Sequence, residues 1–327
     1  MSKEFWDDIA GPLIEGDFGR TSQGAPKIPS TTRITKAGKP AIEIYGRASS
    51  FYNEPSDFAL RKWSERHVAY GATLVPRPAL DDLEVDGTEW RSALDEWVVQ
   101  CKETAGAHEA AERGTFAHRL TEFRDLGRDP IELLTSGLEL GLDAVISDAI
   151  VDVWASLEAD YFEVLAVEYR IVHDRWRVAG TLDRIVKLRR DLTFVMADGS
   201  LVMLPAGLIL VIDLKTGKLR KGTGGSPAYW QGYATQIAAY QGGVPFNTDT
   251  NQRERWPWKT SAKWGLIVHI GVAEGLEEDQ ISGRLILVDL TAGRAAGDAA
   301  RMMRTHHTRS DLFSVVTDEP MAKILLG

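Results

Sequence analysis

The chain has 327 residues, 44% of them hydrophobic and 26% charged, which excludes a disordered, collagen-like or low-complexity polymer and calls for a sizeable buried core. Its 38 basic against 47 acidic side chains leave a formal net charge of −9, which by itself counts against a nucleic-acid partner, because phosphate binding is driven by clustered Lys and Arg. The one cysteine, Cys101, excludes an internal disulfide framework and any site built from several thiolates, iron–sulfur clusters with four cysteine ligands included.

The chain starts MSKEFWDDIA, acidic where a secretory signal is basic and then apolar. No apolar run approaches the roughly 18 residues of a membrane span, so a cytoplasmic protein with no membrane partner is expected. Residues 24–40, GAPKIPSTTRITKAGKP, read as an extended loop or arm, and IEIYG at 42–46 as a short strand. A helix is predicted over 55–70, with Ser56 as its cap and Phe58, Leu60, Trp63 and His67 near helical spacing; Trp63 reads as a packing residue. A second covers about 88–102, where Trp90, Leu94, Trp97 and Cys101 form one buried stripe and Cys101 is a small core residue. Helix continues over 108–126 and 131–157, with Asp129-Pro130 as the break.

The texture changes near residue 161. YFEVLAVEYRIVHD alternates and is rich in β-branched and aromatic residues, and WRVAGTLDRIVKLRR at 176–190 is a second strand. LTFVMADGSLVMLP carries Asp198-Gly199 between two apolar runs, the signature of a two-residue hairpin turn. GLILVIDLKTG at 207–217 is apolar on both faces as far as Asp213 and reads as a buried central strand. A helix over about 229–241, a loop with Trp256 and Trp258, two strands (WGLIVHIGV, GRLILVDL) and a helix over about 291–305 complete the chain. There is no internal repeat and no charge-rich linker, so the expected fold is one α/β (α+β) domain, a central mixed sheet flanked by helices.

Four short segments carry chemistry. In Asp213-Leu214-Lys215, strand alternation puts the carboxylate and the ammonium on one face while Leu214 points back to the core. An ordinary ion pair is the commoner meaning of that tripeptide. Asp183, in GTLDRI, sits on an otherwise apolar strand, where an acid is costly unless it is paired, with Arg184 or Lys215, or bound to a metal. Two carboxylates near one lysine suit a hard divalent cation, which takes oxygen ligands. His118 lies in GTFAH on a helix, where a satisfied interior histidine is the usual case. Gln236 and Tyr240 in QIAAY are four apart and share one helical face.

The succession GTFAH, GTLDRI, IDLKTGK and QIAAY resembles the RecB-like branch of the PD-(D/E)XK nuclease superfamily, over about 114–240. The resemblance implies a restriction-endonuclease-like core over 106–327, with residues 1–105 as an N-terminal arm and helical elaboration packed on it in one structural domain. It implies that His118, Asp183, Asp213 and the Leu214 backbone carbonyl hold Mg²⁺ or Mn²⁺, and that Asp183, Asp213 and Lys215 are catalytic, Lys215 orienting or activating water. Gln236 and Tyr240 would stand beside the site near the nucleic acid. Leu182 replaces the proline of the superfamily's name. The lone cysteine separates the chain from cluster-bearing, CRISPR-associated relatives and places the resemblance with cluster-free phage exonucleases, so that bacterial or phage-infected cytosol is the expected setting.

Further expectations follow from the charges. KTGKLRKGTGGS brings Lys218, Arg220 and Lys221 close behind Lys215, a glycine-bounded loop able to follow a phosphate backbone or simply a solvated turn. Tyr229, Trp230 and Tyr233 could stack on bases, although core packing serves Trp230 as well. Arg184, Lys187, Arg189 and Arg190 form a second basic stretch. Glu168 is either an auxiliary acid near the metal or, more commonly for such a residue, half of a surface ion pair. The expected activity is metal-dependent exonucleolytic hydrolysis of DNA at linear ends, single- or double-stranded, in recombination or repair, with a recombinase or single-strand-annealing partner. An endonuclease of the same superfamily and a non-catalytic DNA-binding scaffold are the alternatives.

Overall fold

The computed structural model describes residues 18–51, 58–196, 198–217, 232–272, 277 and 280–307. Near the start, β1 (Lys27–Ile34) and β2 (Pro40–Ile44) pair antiparallel, with Ile28 fully buried. The stretch expected as a loose arm is thus largely strand: Ile28 and Ser30 alternate inward, a period that the Pro, Ser and Thr content masks. The short strand β3 (Gly46–Arg47) adds parallel to a strand of the main sheet, and a 3₁₀ turn at Ala48–Ser50 delivers Ala48 and Phe51 to the core.

Helices α1 (Phe58–Gly71) and α2 (Thr88–Thr104) lie against each other closely enough that a Cβ on Gly71 would come 2.0 Å from the Cys101 carbonyl oxygen. Cys101 is fully buried and Trp90, Leu94 and Trp97 are half-buried, as the predicted stripe requires. The expected cap Ser56 lies outside the described residues. Trp63, expected to pack inside, is 42% exposed, and its ring meets that of His67 at 4.2 Å with a tilt of 43°. After α3 (Glu109–Asp125), the helix expected over 131–157 is in fact two, α4 (Ile131–Glu139) and α5 (Ala144–Tyr161). The chain breaks at Gly141, at φ +72°, and restarts where the Asp143 carboxylate accepts the Ile146 N–H at 3.0 Å.

Strands β4 (Phe162–His173) and β5 (Val178–Leu188) form a long antiparallel pair. A separate ribbon of β6 (Leu192–Val195) and β7 (Leu201–Leu204) follows, and the Met196 N–H to Ser200 carbonyl bond closes a loop one residue wider than the expected two-residue turn. Next come β8 (Ile209–Thr216), α6 (Gly232–Gly242), β9 (Val244–Asn247), β10 (Gln252–Arg253), β11 (Trp264–Ile270), β12 (Gly283–Asp289) and α7 (Leu290–His307). The main sheet is mixed and runs β10-β9-β4-β5-β8-β11-β12, with β3 beside β5; among the described residues, β3–β5 and β8–β11 are its parallel pairs.

Strand alternation divides the core between the two faces of this sheet. Ile212 and Leu214 of β8 turn toward α3, α4 and α5, with Phe116, Leu120 and Trp154. Val211 turns the other way, with Ile185 and Ile267, toward Ile237 and Tyr240 of α6 and Leu290 of α7. The protein is therefore a mixed α/β fold with a large central sheet between helical layers, and among the described residues no helix is long and apolar enough to cross a membrane.

Candidate active site

β8 lies between β5, antiparallel, and β11, parallel, so its interior carboxylate Asp213 and the β5 carboxylate Asp183 come together in the middle of the sheet. Their residues are 1% and 9% exposed. Asp183 Oδ2 accepts the Leu214 N–H at 2.6 Å and stands 3.5 Å from His118 Nδ1 of α3. The Lys215 ammonium faces Asp213 Oδ2 at 2.5 Å in a close ion pair. From α6, Gln236 Nε2 donates to Asp213 Oδ1 at 3.0 Å and to the Tyr240 hydroxyl at 3.3 Å, while Gln236 Oε1 accepts from Lys215 at 3.4 Å. Lys215 also lies over the Tyr233 ring at 4.7 Å. His118, Asp183, Asp213, Lys215, Gln236 and Tyr240, scattered over more than a hundred residues of chain, thus form one connected cluster.

Two glycines of the short segments make this approach possible. A Cβ on Gly114, one helical turn before His118, would lie 2.9 Å from the Thr216 hydroxyl oxygen, so its absence lets α3 close on the end of β8. A Cβ on Gly180 would lie 3.1 Å from the Tyr240 hydroxyl, so the glycine of GTLD makes room for the tyrosine of QIAAY.

Burial pushes the Asp213 carboxyl up to about 6; the Lys215 ammonium opposes this and the Asp183 charge adds to it. Asp183 is raised for the same first reason, against the pull of Lys215, Arg184 and the Leu214 amide. Burial alone would lower Lys215, but the two aspartates outweigh it and hold the ammonium charged. Burial, then the nearby Lys215 charge, drives His118 well below the ordinary imidazole range, so it is a neutral nitrogen donor at neutral pH.

Among the described residues no three His, Cys, Asp or Glu side chains converge into a ready-made metal cage. The donor chemistry nevertheless fits a hard divalent cation: a neutral imidazole and two buried carboxylates, one of which, Asp213, has a cation as its neighbour through Oδ2. Leu214, expected through its carbonyl, contributes its amide to Asp183, and its backbone also hydrogen-bonds His118.

Glu168 of β4 makes no ion pair among the described residues, which corrects the surface-pair reading. It sits between Val167 and Tyr169, which pair with Arg184 and Leu182, and therefore faces Asp183 across the ladder. Its φ of +51° is left-handed, a strained conformation for a glutamate. Burial, with the Asp183 and Glu122 charges, raises it to about 9.

Of the stretch Arg184, Lys187, Arg189 and Arg190, the first is sealed inside the fold, while Lys187 is half-buried and Arg189 and Arg190 are exposed, each with a local partner. Arg184 is fully buried, donates to Asp125 at 2.8 Å and Thr121 at 2.9 Å, and lies over the Trp154 ring at 4.9 Å. Lys187 pairs with Glu163 at 3.1 Å, Arg189 donates to the Phe162 carbonyl, and Arg190 lies over Tyr161. Lys218, Arg220, Lys221, Tyr229 and Trp230 fall outside the described residues.

Glu122, not among the candidates above, is 5% exposed, and its Oε1 is buried with no hydrogen-bond partner among the described residues. Its spacing of four from His118 was the available signal. The partners of Arg184 carry the same signal, since Thr121 and Asp125 are also four apart. No family model matches the chain, and no curated protein matches it.

Proposed function

We propose that the protein is a metal-dependent nuclease with a restriction-endonuclease-like core, hydrolysing phosphodiester bonds of DNA at linear ends. The observation that carries this reading is the buried Asp183–Asp213–Lys215 cluster, tied by Gln236 to α6 and faced by His118 from the opposite helical layer. Two carboxylates, a neutral imidazole and an ammonium in one buried place have no evident use in holding this fold together, because replacing such groups by apolar ones is often neutral or stabilising.

His118, Asp183 and Asp213 would hold Mg²⁺ or Mn²⁺, which when bound supplies Lewis-acid polarisation of the scissile phosphate and a more acidic water. Lys215, kept protonated by Asp213 and Asp183, offsets charge that grows on the phosphoryl oxygens and orients the attacking water. Gln236 fixes both partners, since one amide group reaches Asp213 through its nitrogen and Lys215 through its oxygen. Tyr240, raised by burial and the neighbouring aspartates, remains a neutral hydroxyl and takes no part as a base.

The test is incubation of end-labelled linear DNA and covalently closed circles with Mg²⁺, Mn²⁺ or EDTA, using the native chain, Asp213→Ala and Lys215→Ala. Metal-dependent shortening of linear DNA that both variants lose supports the proposal. Nicking of closed circles would move the activity to an endonuclease. Intact substrates under every condition, with DNA still bound, would leave a scaffold.

A further inference from the structure

The cluster is not the only place where the fold gathers charge. A cavity of about 630 Å³ opens where the β1–β2 hairpin, the turn between β4 and β5 and the last turns of α7 meet. Arg175, Arg177, Arg301 and Arg304 line it, against the carboxylates Glu43 and Asp174. Asp174 is already engaged by Arg253 at 2.5 Å and the Tyr45 hydroxyl at 2.8 Å, neither of which leaves its charge available to a ligand. The chain carries an overall formal charge of −9, so four guanidinium groups around one cavity are a local reversal of its field.

Three of these arginines are held in place. Arg304 lies over the Phe51 ring at 5.3 Å and against Gly46, where a Cβ would come 2.4 Å from its Nη1. The missing side chain of Gly46 is what lets that guanidinium rest on β3. Arg177, at a left-handed φ of +53°, pairs with Glu43 at 2.9 Å and lies over Tyr45 at 5.4 Å. Arg175 pairs with Asp298 at 2.8 Å and keeps 64% of its side chain exposed. Arg301 is exposed and has no ion-pair partner among the described residues. Planar, preoriented guanidinium groups match phosphate oxygens bidentately, as an ammonium does not.

The cavity shares an end of the sheet with the catalytic cluster. β3 pairs with Val178 and Ala179, and Asp183 is five residues further along the same strand, roughly 16 Å at the rise of a strand. Because β8 runs antiparallel to β5, its Lys215 end points the same way. A duplex carries one phosphate per strand for about every 3.4 Å of axis, so a 30-mer bound at Asp183 is long enough to reach the cavity.

We propose that the arginine-lined cavity beside α7 holds backbone phosphates of the nucleic acid whose scissile phosphate lies at the Asp183–Asp213 cluster. The assignment rests on the nucleic-acid reading of that cluster. It supplies a positive contact surface within the described residues.

The experiment uses the full chain in EDTA and a fluorescein-labelled 30-mer, single-stranded and duplex, titrated by anisotropy over a series of salt concentrations. Arg301→Glu and Arg175→Ala are the variants, both at exposed side chains, with thermal melts to show that they fold. The expected result is a loss of about tenfold in affinity for Arg301→Glu and a salt slope shallower by about one phosphate contact. With Mg²⁺, KM for the 30-mer rises while turnover of bis(p-nitrophenyl) phosphate, too short to span the distance, is unchanged. Native affinity and slope in both variants overturn the proposal. So does saturation by inorganic phosphate or pyrophosphate that the 30-mer fails to displace, which would make the cavity a site for free phosphates. A native chain that binds the 30-mer with the expected variant effects but cleaves nothing refutes the nuclease reading and leaves the cavity assignment standing.

Discussion

Gly180 and Tyr240 meet across the interface of β5 and α6 so closely that a Cβ on the glycine would lie 3.1 Å from the tyrosine hydroxyl. That hydroxyl in turn accepts from Gln236, which holds Asp213. The glycine thus reaches the carboxylate through two side chains, and its smallness sets the position of α6 over the cluster.

Gly180→Val should force Tyr240 away and cost about 1–3 kcal/mol of stability, the usual penalty for overfilling a packed site. Tyr240→Phe, which removes the oxygen but keeps the ring, should cost about 1 kcal/mol. Urea unfolding of both variants and the double variant checks the mechanism. The double variant should recover part of the stability lost by Gly180→Val; strict additivity would show that the hydroxyl is not what the valine strikes.

Arg184 ties β5 to α3 through Asp125 and Thr121, one turn from His118. Arg184→Leu leaves the Asp125 carboxylate buried with less compensation and should destabilise the chain by about 3–5 kcal/mol. Lys187→Ala, by contrast, removes an exposed pair with Glu163 and should change stability by less than about 1 kcal/mol and nucleic-acid affinity not at all. A clear fall in affinity for Lys187→Ala would place Lys187 at a nucleic-acid contact.

Asp213, raised to about 6, and Glu168, raised to about 9, both keep a proton in the folded chain where the unfolded chain has lost it. Their contribution to stability is complete below the ordinary carboxylate range and is lost as pH rises through about 6 and about 9. The melting temperature of the metal-free protein should therefore carry a downward component between about pH 5 and about pH 9. Mg²⁺ should raise it, and more so at the alkaline end, where the carboxylates are ionised. Asp213→Ala should lose the Mg²⁺ increment; an equal increment in that variant would place the cation elsewhere.

His173 stacks on Trp176 at 4.4 Å and its Nδ1 accepts the Trp176 N–H at 3.1 Å, a bond that requires an unprotonated nitrogen. Burial lowers its pKa, so the unfolded chain takes up a proton that the folded chain resists. The stability it contributes is present above the ordinary imidazole value, near 6.5, and is lost as pH falls below it. His173→Asn should flatten the melting profile between about pH 7 and about pH 5. An unchanged slope would assign the acid sensitivity to other groups, with His118 and His269, both also lowered by burial, the next to vary.

Most strands and helices after residue 105 are legible in the sequence from patterned burial, such as alternation in β4 and two-sided apolarity in β8, but the break that separates α4 from α5 and the short strands β9 and β10 are not. Residue type singled out Asp183, Asp213 and Lys215, since carboxylates and an ammonium inside apolar segments are costly enough to stand out, whereas His118, Gln236 and Tyr240 joined them only through the resemblance of their segments to a known nuclease pattern. What the sequence could not decide was which charges have partners far along the chain. Arg184 and Arg301 are both arginines in mixed surroundings, yet one is sealed between Asp125, Thr121 and Trp154 and the other stands exposed at a cavity. Glu168 reads as an ordinary strand acid until the β4–β5 register sets it opposite Asp183. Local pattern fixes the period of burial, whereas desolvation and Coulomb energy depend on distances that only strand register and helix docking create.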